Sequence, residues 1–201
     1  MAKRSEHSLE ELKALVLKAA ETIVIEEGFE ALKVRRIAAE IGYTVGSIYM
    51  AFKSMADLIM HINAKTLDAI AAELKQVQDC NIEPSIETLA IAYLGYANQN
   101  YNRWRNVFEN SFSAETKTPD WYQEKFDNVF ALVDERFAKF KPELAEGHRK
   151  RAARALWCGI HGICVLSLKG EPDKTDINDI EETIVLLVSS FMQGWIEHAD
   201  E

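Results

Sequence analysis

Apolar residues return every three or four positions along most of the chain, which is the spacing of one face of an α-helix. The first such stripe runs from about Leu9 to Glu27, and Ser8 with Glu11 forms a capping-box pattern at its start. Its apolar positions are Leu12, Leu15, Val16, Ala19, Ala20, Ile23 and Val24. Gly28 is expected to end this helix at a positive φ, where glycine has no side chain to clash. The pattern therefore predicts a first helix with one buried face.

Two short helices follow, joined by a glycine turn. The spacing predicts one helix from about Val34 to Ile41 and another from about Val45 to Ala51, with Gly42 between them. The positions expected to face inward are Val34, Ile37, Ala38, Ile41, Ile48, Tyr49 and Phe52. The small residues expected where the two helices cross are Ala38, Ala39 and Gly42. This is the pattern of a helix-turn-helix, which presents its second helix to the major groove of DNA.

The remaining apolar patterns are also helical, and none alternates as a half-buried strand would. They predict helices over about Ser54–Asp79, Ser85–Tyr101, Arg103–Phe112, Asp120–Phe140, Glu143–Leu168 and Ile177–His198. The sequence thus predicts an all-α protein of about nine helices. Residues 1–55 form an N-terminal three-helix DNA-binding domain in this prediction, and residues 56–201 form a larger helical C-terminal domain.

The charge distribution is compatible with nucleic-acid binding by the first domain. The net charge of −9 argues against it, but residues 1–55 hold eight basic and eight acidic residues, so the acidity lies in the rest of the chain. Within the helix-turn-helix, Lys33, Arg35, Arg36 and Lys53 cluster, and Glu40 is the only acid between residues 31 and 56. A local basic face of this kind can hold phosphates.

Most side chains on the exposed face of the second short helix are short, so this helix can lie deep in the major groove. Thr44 and Ser47 can donate to phosphates or base edges, and Val45 can touch a thymine methyl group. Gly46 within a helix costs up to about 1 kcal/mol relative to alanine. Either a close approach of its backbone to DNA or close packing against the first or second helix would explain that cost.

The basic side chains and the second short helix together form the predicted DNA-contacting set. Arg35 and Arg36 can reach a phosphate or a neighbouring base, or can be a solvated surface pair, and Lys53 is expected to anchor a phosphate. The full predicted set is Lys33, Arg35, Arg36, Thr44, Val45, Gly46, Ser47, Tyr49 and Lys53.

The segment from about Leu15 to Leu58 resembles the N-terminal domain of the TetR/AcrR family of transcriptional regulators. The matching elements are Ala19-Ala20, Glu27-Gly28-Phe29, Val34-Arg35-Arg36-Ile37-Ala38, Ile41-Gly42, Gly46-Ser47-Ile48-Tyr49, Phe52 and Ser54. The sequence departs from the family at Ala51, where His or Tyr is usual, at Met55-Ala56 after Ser54, and at Lys33, where Thr is common. The first two departures remove groups that often touch phosphates.

The resemblance implies a ligand-responsive regulator, most simply a repressor. It implies a C-terminal domain that binds a small-molecule effector and forms a homodimer through the last two helices. Such a dimer would bind a near-palindromic double-stranded DNA operator. Whether the protein represses or activates transcription stays open at this point.

Aromatic residues in the second domain suggest an apolar effector site. Trp104, Phe108 and Phe112 form one ridge, and three more aromatics open the next helix. The predicted ligand-binding set is Trp104, Phe108, Phe112, Trp121, Tyr122, Phe126, Trp157 and His161. The last two lie in a stretch that resembles the tryptophan–histidine–glycine motif of one subgroup of the family. His161 is either a core histidine or a polar group of the pocket, and the expected effector is small and hydrophobic or aromatic.

No set of residues predicts catalysis, a metal site or a cofactor. The three cysteines, Cys80, Cys158 and Cys164, lack metal-ligand spacing and are expected to be buried thiols. No apolar run suggests a membrane span or a secretory signal, so a cytoplasmic location is expected. Two other hypotheses remain. Ala51 and Met55 suggest a ligand- or partner-binding protein with a weakened DNA-binding head, and only His161 suggests an enzyme.

Overall fold

The computed structural model describes residues 7–77, 86–109, 118–168 and 176–198, and all regular elements in these ranges are helical. The α-helices are α1 (Leu9–Glu27), α2 (Val34–Glu40), α3 (Val45–Ala51), α4 (Met55–Gln76), α5 (Ile86–Gln99), α6 (Tyr101–Glu109), α7 (Asp120–Phe140), α8 (Glu146–Ser167) and α9 (Ile177–His198). The all-α prediction is confirmed, and the bounds of α1, α3, α7 and α9 agree with the predicted ones. A short 3-10 helix over Phe29–Ala31 was not predicted.

The chain divides into two compact units. The first contains the described residues up to Thr66 together with those from Asn102 to Thr118, and the second contains the other described residues. The predicted division at residue 55 differs from this one, because the first part of α4 and most of α6 pack with α1 to α3. The first unit therefore contains a helix that lies far along the sequence.

The core of the first unit is built from the apolar faces of α1 to α4. The buried side chains are Leu12, Val16, Ala20, Ile23, Val24, Leu32, Ile37, Ala38, Ile48, Ala51, Phe52, Leu58 and Ile62. Ser8 caps α1 with the predicted capping box to Glu11, and Gly28 ends it at a φ of 80°. The N–H of Gly28 donates to the carbonyl of Val24 at 3.0 Å.

Three sequence-based expectations for this unit are wrong. Tyr49 was expected to face inward but faces outward with 46% of its surface exposed, because the buried face of α3 is formed by Ile48 and Ala51. This outward position is the one that its place in the predicted DNA-contacting set requires. Ala39 is exposed. No atom outside its chain neighbours lies within 4 Å of a Cβ built on Gly42, so neither residue serves the close crossing of α2 and α3. Of the three small residues, only Ala38 is buried.

The second unit is a helical bundle in which α5 contacts α7, α8 and α9, and α8 packs against both α7 and α9. Its fully buried large side chains include Phe137, Leu156 and Leu168. Phe137 contacts the ring of Trp195 edge-on at a centroid distance of 4.9 Å. α7 and α9 are thereby held together within this unit.

Candidate nucleic-acid interface and apolar cavity

The turn between α2 and α3 is set by backbone geometry. Gly42 has a φ of +71°, which favours glycine because a Cβ would be strained there. The N–H of Tyr43 then donates to the carbonyl of Ala38 at 2.9 Å. Thr44 is the N-cap of α3, and its hydroxyl accepts the N–H of Ser47 at 3.2 Å. These local contacts fix where α3 begins relative to the end of α2.

The outward face of α3 carries small and apolar groups. Met50 is 73% exposed and adjoins the exposed Tyr49, and Gly46 lies one turn earlier. On the opposite face, Ile48 and Ala51 are buried in the core of the first unit. α3 thus has one side available to a partner, and this side includes Met50, which is not in the predicted contact set.

Gly46 is not required by packing inside the first unit. A Cβ built at this position would meet only the Thr44 hydroxyl, at 3.6 Å, which is an ordinary van der Waals contact. Of the two explanations for this glycine, close packing against α1 or α2 is therefore ruled out for the described residues. The other explanation, a close approach of DNA to the backbone of α3, stays a prediction.

Basic side chains accompany the two helices. Lys33 is the N-cap residue of α2, Arg35 lies in its first turn, and Lys53 comes two residues after the end of α3. All three side chains are exposed, and within the described ranges none of them is part of an ion pair. They are positive charges available to DNA phosphates.

Arg36 differs from these three because it is already paired. Its guanidinium donates to both carboxylate oxygens of Glu27, one of them at 2.7 Å, and to Glu40 at 3.1 Å. These contacts raise the pKa of Arg36, and the Arg36 hydrogen bonds lower the pKa of Glu27. Arg36 therefore joins the end of α1 to α2, an arrangement that the sequence analysis missed.

Two of the three departures from the family pattern, Ala51 and Met55-Ala56, lie where the structure shows how α3 ends and α4 begins. Ala51 is buried in the core, so this position presents no side chain outward. At the start of α4, the hydroxyl of Ser54 accepts the N–H of Asp57 at 3.1 Å, and Asp57 accepts the N–H of Lys53 at 2.9 Å. The helix start after α3 is thus capped despite the unusual residues that follow Ser54.

A small apolar cavity of about 30 Å³ lies within the second unit. It is lined by Leu74, Ile86, Leu89, Ala90, Tyr93, Val133, Leu156, Trp157 and Ile160. Ligand sites typically enclose about 300–1,000 Å³. The cavity therefore holds little more than a water molecule unless its walls move.

Three rings from α5 and α8 meet beside this cavity. The Trp157 and His161 rings stack with a centroid distance of 4.9 Å and an interplanar angle of 7°. The hydroxyl of Tyr93 lies 3.0 Å from Nδ1 of His161, and burial lowers the pKa of His161. Phe130 of α7 meets Trp157 edge-on at 5.0 Å. Burial therefore disfavours the protonated imidazole at this site relative to the same group in water.

The other predicted ligand-binding residues do not join this cluster. Trp104 and Phe108 belong to the first unit, where their rings lie 5.9 Å apart. Trp121, Tyr122 and Phe126 lie in the first two turns of α7, roughly 10 to 18 Å along that helix from the cavity residue Val133. Phe112 lies outside the described residues.

Tyr93 is the residue of this cluster that the sequence analysis missed as a site residue. It is 68 positions away from His161 and on another helix, so no local pattern joins the two. Cys158 is exposed, which makes its predicted burial wrong, whereas Cys164 is buried and burial raises its pKa to about 12. Cys80 lies outside the described residues.

Neither a metal centre nor a membrane span is found where the structure is described. No three His, Cys, Asp or Glu side chains in those ranges are grouped as metal ligands would be. No described helix combines the length and the apolarity that crossing a bilayer requires.

Two family models match the chain. Residues 16–62 match the model described as bacterial regulatory proteins of the tetR family, and residues 86–191 match the tetracyclin repressor-like C-terminal domain. The second match alone covers more than half of the chain. Its description does not mention the tryptophan–histidine–glycine motif, so that finer resemblance stays a prediction.

Individual proteins are also similar to this chain over most of its length. An HTH-type transcriptional regulator of Staphylococcus aureus is 26% identical over 149 residues, which cover 71% of this chain and 76% of that protein. A protein of unknown function from Rhodococcus sp. RHA1 superposes with a TM-score of 0.72 at 18% identity, covering 96% of this chain and 98% of that one. A TetR family transcriptional regulator, PfmR from Thermus thermophilus, superposes with a TM-score of 0.57 at 16% identity, over 87% and 97% of the two chains.

Proposed function

The chain belongs to the TetR family of bacterial transcriptional regulators, and on that premise we propose that it is a homodimeric repressor of a near-palindromic operator, released by a small apolar effector. The observation that carries the proposal is the outward face of α3, which is accompanied by three exposed cations. Lys33, Arg35 and Lys53 supply the charge that holds phosphates, and α3 supplies the surface for the major groove.

Exposed leucines on the last two helices support the homodimer. Leu166 of α8 is 79% exposed and Leu186 of α9 is 67% exposed. Large apolar side chains gain free energy when a partner covers them, and a second copy of the same face is the simplest partner. A two-fold dimer with two DNA-binding heads fits half-sites about one helical turn apart, which means a near-palindromic operator.

The apolar cavity supports an uncharged effector. Its lining contains no ionisable carboxylate or amine, and the adjacent polar pair is formed by Tyr93 and His161. A charged ligand would lose its hydration there without an opposite charge to compensate. An aliphatic or aromatic molecule with one hydrogen-bonding group suits this lining.

The small volume of the cavity suggests how the effector would act. A ligand larger than a water molecule must push its walls apart, and one wall residue, Leu74, lies on α4. The same helix contributes Leu58 and Ile62 to the core of the first unit. If the effector favours the displaced position of α4 by about 1–3 kcal/mol, operator affinity falls about 5- to 150-fold.

DNA binding is tested first, by fluorescence anisotropy on duplexes from the region upstream of the protein's own gene. We expect site-preferring binding that weakens with salt, and its loss in the triple variant Lys33→Ala, Arg35→Ala and Lys53→Ala. The control is Lys75→Ala, an exposed lysine on the last turn of α4. Sequence-independent or absent binding by the folded protein would contradict the proposal.

The effector is tested by screening uncharged aliphatic and aromatic compounds for release of the operator complex. We expect Ala90→Val, which fills the cavity, to prevent release while operator binding persists. Ala92→Val is the control, because Ala92 is on the same helix but does not line the cavity. Equal release in both variants would place the effector elsewhere.

A further inference from the structure

We infer that α3 recognises its operator half-site through thymine methyl groups, so that A·T pairs occupy the base positions under Gly46 and Met50. This inference deepens the proposed operator binding and rests on it.

α3 carries no side chain that makes a two-pronged hydrogen bond to a base. Its sequence, Val-Gly-Ser-Ile-Tyr-Met-Ala, lacks Arg, Lys, Asn, Gln, Asp and Glu. Arginine or lysine selects guanine in the major groove, asparagine or glutamine selects adenine, and a carboxylate selects cytosine. The side chains of α3 therefore cannot select guanine, adenine or cytosine by paired hydrogen bonds.

The two hydroxyl groups at the start of the helix are engaged with one another. The Thr44 and Ser47 hydroxyl oxygens lie 2.9 Å apart, and the Thr44 hydroxyl also accepts the N–H of Ser47. Their remaining hydrogen-bonding capacity suits a phosphate or any base, since hydroxyl groups pair with several base edges. They therefore add little discrimination between bases.

Met50, an exposed apolar side chain of α3, is suited to contact thymine methyl groups in the major groove. The 5-methyl group of thymine is an apolar feature that an apolar side chain contacts directly. Met50 is 73% exposed, is flexible, and lies one turn after Gly46. Four residues of helix span about 6 Å, which corresponds to roughly two base pairs.

Gly46 allows the close approach that such a contact requires. A Cβ at this position would meet no neighbour other than the Thr44 hydroxyl, so the glycine leaves a bare stretch of backbone on the DNA-facing side. The exposed charges of Lys33, Arg35 and Lys53 favour a polyanion over an apolar protein as the occupant of this face. Together these features point to duplex DNA that presents methyl groups.

The test begins by selecting binding sites from randomised duplexes with the full-length protein. The selected site is then synthesised with deoxyuridine replacing one thymine at a time, which removes only the methyl group. At one or two positions in each half-site, we expect affinity to fall about fourfold, the effect of burying one methyl-sized group.

Two variants test whether Met50 causes the loss of affinity that follows replacement of thymine by uracil. At the thymine under Met50, Met50→Ala should bind the thymine and uracil duplexes equally well, and its folding should be intact because Met50 is largely exposed. Ile25→Ala removes an exposed apolar side chain from α1 and should keep the preference for thymine. Circular dichroism verifies that both variants fold.

The outcomes separate this inference from the proposed function. If a site is selected but no thymine position responds to uracil, α3 does not recognise methyl groups, and operator binding still stands. If Met50→Ala keeps the response to uracil at every position, the contact belongs to other residues and the inference is wrong. If the folded protein selects no site at all, both the inference and the proposed operator binding are wrong.

Discussion

At the scale of single residues, α3 contains a glycine that its own stability does not favour. Gly46 lies on the exposed face of a regular helix and has an ordinary φ, and a Cβ at this position would meet no neighbouring helix. Alanine would fit the space and would favour the helix. A residue that lowers stability without a packing reason is expected where function requires it.

Gly46→Ala should therefore stabilise the first unit while weakening operator binding. We expect the free energy of unfolding to rise by up to about 1 kcal/mol and operator affinity to fall. Urea denaturation and anisotropy on the same protein sample give the two values. Ala39→Gly, at an exposed helical position of α2, is the control and should lower stability. A Gly46→Ala protein that binds DNA as tightly as the wild type would show that DNA does not approach this backbone.

Arg35 and Arg36 are adjacent, but the structure gives them different roles. Arg35→Ala should leave stability unchanged and reduce the salt dependence of operator binding by about 0.9, the value for one phosphate contact. Arg36→Ala should lower the melting temperature, because Glu27 and Glu40 would lose their shared partner. Anisotropy at several salt concentrations and thermal denaturation distinguish the two. Identical behaviour of the two variants would contradict this division of roles.

At the scale of elements, polar contacts hold α6 against α1 and α4. Asn106 is buried and donates to the side-chain oxygen of Asn63 on α4 at 2.6 Å. Asn102 donates to the carbonyl of Ile25 on α1 at 3.0 Å. Glu21 of α1 pairs with Arg103 of α6. Buried polar groups specify their partners, so α6 has one favoured position against α1 and α4.

Asn106→Ala should destabilise the protein because it leaves the buried Asn63 oxygen without its donor. The expected cost is about 1–3 kcal/mol in the free energy of unfolding. The double variant Asn63→Ala, Asn106→Ala should lose less free energy of unfolding than the two single variants together, since neither amide is then left without its partner. Asn128→Ala, at an exposed position of α7, is the control. Additive costs measured by urea denaturation would mean that the two amides do not depend on each other.

The contact between α5 and α8 should respond to pH through His161. Burial lowers its pKa, so between that lowered value and about 6.5 the unfolded chain binds a proton that the folded protein does not. Stability should therefore fall as pH falls through this range and should not depend on His161 above it. Hydrogen bonds lower the pKa of Glu27 and Glu146, and these carboxylates lose stabilisation only in more acidic solution.

Urea midpoints at about pH 7.5 and pH 5.5 test this expectation. The wild type should lose more stability between the two values than His161→Phe, which cannot bind the proton. The difference between the two proteins is the measured quantity, because other titrating groups are common to both. An equal loss would mean that the imidazole is protonated as easily in the folded state as in the unfolded one.

At the scale of the whole molecule, the proposed repressor depends on its oligomeric state. Each head alone would contact one half-site, and a dimer binds both at once, which raises the effective concentration of the second head. The exposed Leu166 and Leu186 lie on α8 and α9, the helices proposed to form the interface. Disrupting that interface should weaken operator binding without changing either head.

Leu186→Glu should convert the dimer to a monomer and lower operator affinity. The side chain is 67% exposed in the single chain, so a carboxylate there is tolerated by the fold but is costly inside an apolar interface. Sedimentation velocity measures the oligomeric state, and circular dichroism verifies folding. Ile25→Glu, the same type of change on α1, should remain dimeric. If Leu186→Glu also remains dimeric, the interface lies elsewhere.

The helix-turn-helix and the all-α architecture could be predicted because they depend on neighbours in the sequence. Helical spacing, the cap at Thr44 and the glycine at position 42 act within a few residues of one another. The same is true of the capping box at Ser8 and of the start and end of α7 and α9. Patterns that span only a few residues can be recognised without knowing how distant segments of the chain pack together.

The remaining features were decided by tertiary structure, because they join residues that are far apart or depend on how a helix is rotated. Rotation of α3 exposes Tyr49 and Met50, and spacing alone placed Tyr49 inside. Packing brings Tyr93 to His161 across 68 positions and places α6 beside α1 and α4. The sequence by itself determined the helices and the type of DNA-binding motif, since these depend on local backbone preferences. Only the folded chain decided which side chains remain available to DNA or an effector, since that depends on which faces the packing covers.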